Sequence, residues 1–194
     1  MTRVKMRNIL VIQGHTDSSS LTHSLSLSYI EARKKSGDKV NVVDLSVLDF
    51  NPILEMGYKE IMPLEDSLLE CQSLIKEADH ITIFYPTWWG TLPAKLKGFF
   101  DRVLLPGFAF KFEEGKTLPT KLLKGKTASI ITTLDTPPWY YRYFQGNLGV
   151  RTLKNLILSF CGIKTKKIIY IGPVIKSSEE KRSAWIEKMK KLDS

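Results

Sequence analysis

Three stretches of this 194-residue chain combine residue types that bind small molecules or position them for reaction. The first, Gly14-His-Thr-Asp-Ser-Ser-Ser-Leu21, sets three successive hydroxyls and unblocked amides directly after an apolar run. In an open parallel sheet, such a strand-to-helix loop turns its N–H groups, with a helix N-terminus behind them, toward an anion. The set suits a phosphate monoester, and the same serines equally suit capping of the first helix. His15 follows the strand at once and is placed to donate to a phosphate, whereas His23 and His80 read as helix and strand-end residues. The second stretch is Tyr85-Pro-Thr-Trp-Trp-Gly-Thr-Leu-Pro93. Adjacent tryptophans in a loop cannot both enter one core, so one is expected to line a cleft, where its face suits a flat aromatic ligand. A hydrophobic corner over the sheet edge is the alternative. The third stretch, Thr133-Leu-Asp-Thr-Pro-Pro-Trp-Tyr-Tyr-Arg-Tyr143, offers the phenols of Tyr140, Tyr141 and Tyr143 to a substrate oxygen and Arg142 to a phosphate. Aromatic packing at an oligomer interface would use the same residues.

Other chemistries find less support. Neither GxGxxG nor GxxxxGK[ST] occurs, which counts against a Rossmann dinucleotide site and a P-loop. No serine sits in a GxSxG elbow, and the three histidines lack metal-ligand spacing, so no metal is expected.

The elements that must position these loops alternate along the chain. Strands are expected at Ile9–Ile12, Lys39–Asp44, His80–Tyr85, Thr127–Thr132 and Lys166–Ile171. Helices are expected at Leu21–Lys35, Ser67–Ala78, Ala94–Leu105, Val150–Cys161 and Glu179–Leu192. That alternation predicts an α/β fold, a parallel sheet with helices on both faces. Residues 46–65 and 134–149 escape the rhythm and read as long functional loops or lids. The three chemical stretches follow the first, third and fourth strands, so they converge on one crevice.

Composition narrows the class. With 43% hydrophobic and 25% charged residues, one globular domain spanning residues 1–194 is expected, and disorder is excluded. The net charge of +9 favours anionic partners, but the lysines are dispersed rather than gathered in one block, which argues against nucleic acid. Cys71 and Cys161 lie far apart without CxxC spacing, as expected for free thiols in a reducing, cytoplasmic setting. The apolar run after Asn8 is too short for a secretory signal, and no run is long enough to span a bilayer.

One long motif resembles a known family. Phe84-Tyr-Pro-Thr-Trp-Trp-Gly-Thr-Leu-Pro-Ala-Lys-Leu-Lys-Gly-Phe-Phe-Asp-Arg-Val-Leu-Leu-Pro-Gly-Phe-Ala-Phe110 is similar to the central motif of the flavodoxin-like NAD(P)H:quinone oxidoreductases. The first strand and its histidine loop, Leu45–Pro52 and Thr132-Thr133 fit as well, so the resemblance covers nearly the whole chain. It implies a three-layer flavodoxin-like sandwich with a five-stranded parallel sheet in the order 2-1-3-4-5. It implies a flavin, FMN or FAD, with NADH or NADPH as reductant and a quinone or similar flat molecule as acceptor, in a two-electron ping-pong cycle. His15, Ser19, Ser20 and Leu21 look like the flavin phosphate and ribityl site. Pro86, Thr87, Trp88, Trp89 and Gly90 look like the segment along the isoalloxazine ring, where backbone amides meet its polar edge. Thr132 and Thr133 begin the third flavin loop, and Tyr140 matches a tyrosine that helps settle charge on the reduced ring. Lys95–Phe110 corresponds to a homodimer interface that completes each site.

The chain also departs from its relatives. Leu134 and Asp135 stand where two glycines are frequent, Thr22 where an asparagine is common, and Gly146 near the position of a third-loop histidine. The same resemblance implies an alternative role, a flavin-binding regulatory subunit of a membrane transporter, held peripherally at the membrane. A one-electron flavodoxin shuttle fits less well, because such carriers are strongly acidic.

Overall fold

The computed structural model describes residues 6–57, 59–60 and 62–193. The chain runs β1 (Asn8–Gln13), α1 (Leu21–Lys35), β2 (Lys39–Asp44), α2 (Asp66–Glu77), β3 (His80–Pro86) and α3 (Ala94–Val103). It continues through β4 (Phe110–Lys111), β5 (Thr120–Lys121), β6 (Thr127–Thr133), α4 (Pro138–Tyr143) and α5 (Leu148–Arg151). A π-helical turn (Thr152–Leu158), α6 (Ser159–Cys161), β7 (Lys164–Ile171) and α7 (Glu179–Met189) complete it.

Every pairing in the main sheet is parallel, and the strand order is β2-β1-β3-β6-β7. This is the expected 2-1-3-4-5 order, because β4 and β5 pair only with each other in a small antiparallel hairpin. The period of a strand divides the core in two. From β1, Leu10 and Ile12 enter the cluster that includes Leu68 of α2 and Leu96 and Phe99 of α3. Ile9 and Val11 enter the opposite cluster, with Leu25 and Tyr29 of α1 and Met189 of α7. The sheet is therefore covered on both faces, as buried parallel strands require.

Strand ends and the bounds of α2 shift from expectation by one or two residues, and four further departures each have a local reason. α3 stops at Val103 rather than Leu105, because Pro106 disfavours helical geometry in the residue before it. The stretch 134–149 is not all loop: Pro138, with φ preset for a first helical position, starts α4. The expected helix Val150–Cys161 begins earlier, at Leu148, and is π-helical over Thr152–Leu158. The wider turn lets Leu153 and Leu158, five positions apart, both face the core. α7 ends at Met189 rather than Leu192, because residues 190–192 tighten into i→i−3 bonds.

Two buried charges fasten the periphery. Arg102 on α3 is fully buried, donates to Glu65 at 2.8 Å and to the Pro63 carbonyl at 3.0 Å, and also reaches the Asn51 carbonyl. It thereby pins Asn51, Pro63 and Glu65 to α3, where Gly98 leaves room for the Pro52 backbone. At the other end of the sheet, the tightened tail after α7 delivers Asp193, at φ 61°, into a polar hole. Its carboxylate lies 3.2 Å from His80 Nε2 and 3.3 Å from Lys167 Nζ, and it accepts from Ser129 at 3.2 Å and Tyr29 at 3.1 Å. Arg7 and Arg33 donate to its main-chain carbonyl at 2.7 and 3.0 Å.

Burial works against ionisation of Asp193, but the His80 and Lys167 charges and hydrogen bonds outweigh it and hold the carboxyl at about 2. A depressed folded-state value stabilises the fold above the unfolded pKa, and the contribution is lost as pH falls from about 4 to about 2. Urea midpoints measured across that window should fall more steeply for the wild type than for Asp193→Asn. The variant should be the weaker at pH 7, and the two curves should meet near pH 2.

Candidate active site

The crevice lies at the carboxyl ends of β1, β3 and β6, where strand order reverses. Its first wall begins at Gly14, whose amide donates to the Phe84 carbonyl at 2.7 Å. A Cβ there would stand 2.8 Å from Leu96 Cδ2, so only glycine lets the loop turn this close to β3 and α3. The buried Gln13 side chain accepts from the His15 amide at 2.7 Å and lies 2.9 Å from His23 Nδ1. His15 Nδ1 accepts from the Asp17 amide at 2.9 Å, which leaves the ring proton on Nε2. Burial lowers the His15 pKa against the opposing pull of Asp17, so the ring is a neutral Nε2–H donor at neutral pH. Its edge rests on Trp88, with centroids 5.3 Å apart.

The serines divide their work. Ser20 is the N-cap of α1 and accepts from the His23 amide at 3.2 Å, while the Ser19 amide and hydroxyl both bond Asp17 Oδ1, at 2.8 and 2.7 Å. Capping is thus the role of Ser20, and a self-contained turn occupies Ser19. Leu21 packs against the α1–α7 core cluster, and its amide joins that of Thr22 at the open first turn of α1.

The second wall is a tight reversal. Trp88 and Thr91 exchange both backbone bonds, at 3.1 and 2.9 Å, around Trp89 at φ 49° and Gly90 at φ 74°. Two successive positive φ values give the I′ type of turn, which a tryptophan occupies under strain. Trp89 projects wholly into solvent and Trp88 is 42% exposed, so both rings, rather than one, are free of the core. The amides of Trp89 and Gly90 have no partner among the described residues.

Threonines join this wall to the third. The Thr87 amide donates to the Thr133 carbonyl at 2.7 Å, and the hydroxyls of Thr87 and Thr132 lie 2.7 Å apart. Thr133 in turn pairs with Thr22 of α1 at 2.8 Å. Thr132 and Thr133 are buried and their side chains lock the loops, while their backbone is paired between β3 and β7 at the end of β6; Pro86, also buried, ends β3 beside Thr133. Leu134 prolongs the sheet, donating to the Ile171 carbonyl at 2.9 Å, and Asp135 turns away to accept from the Ile175 amide at 2.9 Å.

On α4, Tyr141 is buried and Tyr140 is 42% exposed. The Tyr141 hydroxyl donates to the Gly90 carbonyl at 3.0 Å and accepts from the Gly149 amide at 3.1 Å. With the threonine pairs it ties the third wall to the second; the sequence reading offered its phenol together with those of Tyr140 and Tyr143 and singled out Tyr140. Helical periodicity could not separate adjacent tyrosines on so short a helix. Tyr140 instead stacks on Phe144, with centroids 5.4 Å apart, beside exposed Trp139. Arg142 lies over the rings of Tyr143 and Tyr170, at 5.4 and 5.1 Å, rather than in the crevice.

A recess of about 440 Å³ lies under Trp88 and Trp89, with Lys97 and Thr152 on its wall. Lys97 and Thr152 also border a larger apolar groove of about 780 Å³ formed by Phe100, Leu104, Phe110 and Phe160. Among the described residues, no group of His, Cys, Asp and Glu is placed to hold a metal, and no helix is long and apolar enough to cross a membrane.

Fold and crevice together define a flavodoxin-like α/β protein with an aromatic-walled site at the strand ends, and the flavodoxin-like fold family matches residues 7–192. An uncharacterized NAD(P)H oxidoreductase of Haemophilus influenzae is 30% identical over 187 residues, covering 93% of this chain and 91% of that protein. Rat ribosyldihydronicotinamide dehydrogenase [quinone] is 29% identical over 224 residues, covering 96% and 92%. Among solved structures, the FMN-dependent NADH-azoreductase from Bacillus anthracis str. Ames Ancestor, in complex with FMN, superposes with a TM-score of 0.72 at 20% identity, covering 95% and 96%. The chain belongs to the flavodoxin-like NAD(P)H:quinone oxidoreductase family.

Removing the Tyr141 hydroxyl deletes two hydrogen bonds, to the Gly90 carbonyl and from the Gly149 amide, and leaves those two groups only their bond to each other at 3.1 Å. Tyr141→Phe should therefore lower the unfolding free energy by about 1–3 kcal/mol in urea titrations. An unchanged midpoint would mean that the phenol does not tie the two walls together.

Proposed function

We propose that the protein is a flavin-dependent NAD(P)H:quinone oxidoreductase. The observation that carries this reading is the Trp89–Gly90 turn: two free amides and two exposed indoles at the switch point of a parallel sheet. Unpaired amides are the donors that the electron-rich edge of a flat ring needs, and indole faces match such a ring in shape and polarisability. His15 Nε2–H and the open first turn of α1, capped by Ser20, would hold the phosphate, with Ser19 released from Asp17 to join them. Leu21 would close the ribityl end, and the backbone of Pro86, Thr87, Trp88, Trp89 and Gly90 would run along the ring. Thr132 and Thr133 would support its third side, and Tyr140 would donate to charge developing on ring or substrate. A bound flavin would supply two-electron, ping-pong redox chemistry between NADH or NADPH and a quinone or other flat acceptor.

The names of the relatives support the quinone acceptor and the nicotinamide reductant, and the solved FMN complex of a protein of this fold supports a flavin, FMN or FAD. A second copy of the chain is the proposed occupant of the apolar groove. It runs on from the indole recess and is rimmed by Leu156 and Phe112, 69% and 68% exposed, so a partner there would wall the substrate end. A reducing, cytoplasmic setting accords with Cys71 and Cys161, free thiols pushed up to about 11 by burial and so poor nucleophiles.

The test is an absorption spectrum between about 300 and 600 nm, before and after NADPH and then menadione, with the heat-released chromophore weighed by mass spectrometry. Flavin bands that bleach with NADPH and return with menadione are expected; a protein that neither carries nor takes up FMN or FAD would overturn the reading. Trp89→Gly separates substrate contact from stability. Relief of the left-handed strain offsets the added chain entropy, so the unfolding free energy should move by less than about 1 kcal/mol. Quinone kcat/KM should fall roughly tenfold with the loss of the aromatic face.

A further inference from the structure

At the opposite end of the sheet lies a second recess of about 440 Å³ that the crevice chemistry does not use. Lys121, Lys124, Lys154 and Lys164 line it, together with Asn155 and Thr165 and without any carboxylate. We infer that this recess binds an anion carrying two or more phosphate charges.

The recess is assembled from three segments, which is unlike a chance row of surface lysines. Lys121 and Lys124 come from the end of β5 and the turn after it, Lys154 and Asn155 from the π-helical turn, and Lys164 and Thr165 from the start of β7. Gly162 brings the first two together: at φ 100°, a Cβ would lie 3.1 Å from Lys121 Cβ and from the Lys124 amide. The Leu123 amide donates to the Cys161 carbonyl at 3.0 Å and fastens the same contact. The π-helical turn sets Lys154 and Asn155 on this side while Leu156 and Ile157 face the apolar groove.

Charge then selects the ligand. Lys121 is partly neutralised, because its Nζ donates to the Ser159 carbonyl at the helix end, at 2.6 Å. No carboxylate pairs with Lys124, Lys154 or Lys164 among the described residues, although the chain makes such pairs elsewhere, as between Lys97 and Asp101 at 2.7 Å. Like charges gathered around a concave surface repel, and a multivalent anion relieves that repulsion. The Thr165 hydroxyl is buried without a hydrogen-bond partner, and Asn155 adds an amide, so the wall also holds neutral polar groups. The volume accommodates a pyrophosphate or a phosphorylated headgroup. Lys164 and Thr165 open β7 at its amino end, away from the crevice, so the inference stands whether or not the protein carries a flavin.

The experiment titrates FMN-saturated protein with inorganic pyrophosphate by calorimetry at low ionic strength. In parallel, the protein is co-sedimented with vesicles of phosphatidylcholine and phosphatidylglycerol at 70:30. Wild type is compared with Lys124→Gln/Lys154→Gln and with Lys124→Glu/Lys154→Glu. Both residues are exposed, so the variants should fold and retain FMN. Saturable pyrophosphate binding that weakens about tenfold or more in the Glu variant, and with added salt, is expected. If vesicle retention is also lost in the variants and competed by pyrophosphate, the phosphate source is a lipid headgroup; if vesicles are never retained, it is a soluble ligand. The inference is overturned if neither probe binds wild type at low salt, or if the variants bind as wild type does.

Discussion

Parallel pairing of β1 with both β2 and β3 is the constraint on which the rest of the structure depends. A chain that crosses over to one side of β1 and later to the other leaves a gap at the carboxyl ends that no connection fills. The loops after β1, β3 and β6 border that gap, and two threonine pairs hold them in register. Thr22 with Thr133 and Thr87 with Thr132 join helix start, reversal and β6 through hydroxyls at 2.7–2.8 Å. Hydroxyl pairs suit this place, because they satisfy one another away from water.

The Trp88–Thr91 reversal stands on that frame. Its left-handed tryptophan is held from behind, since the Gly90 carbonyl receives both the Tyr141 hydroxyl and the Gly149 amide. Gly149 must be glycine, because a Cβ would lie 2.9 Å from Thr91 Cα. Strain in a recognition turn is tolerated where neighbours over-determine it, and these contacts do so. The departures at Leu134 and Asp135 fit the same picture: Leu134 enters the core and Asp135 secures the loop at Ile175, so this chain braces its third wall through side chains.

The two ends of the sheet are handled differently. At the carboxyl end, aromatic surface and free amides are left open. At the amino end, Asp193 closes a polar hole with its own carboxylate, and nearby the lysine recess presents cations without carboxylates. Positive charge is thus neutralised from within at one place and left for a ligand at another, a distinction that net charge cannot express.

The local pattern of the chain determined the five sheet strands, the five main helices and the three loops that carry chemistry, because apolar periodicity and turn residues act over a few neighbours. The long motif from Phe84 to Phe110 determined the family, and the strand order came with it. Tertiary structure decided what depends on distant partners. It set Tyr141 rather than Tyr140 against Gly90, spent Ser19 on Asp17, and buried the Thr132 and Thr133 side chains. It also drew lysines 43 positions apart, Lys121 and Lys164, around one recess. Each of these rests on which face of an element meets a segment far away in sequence, and that is fixed only when the layers pack.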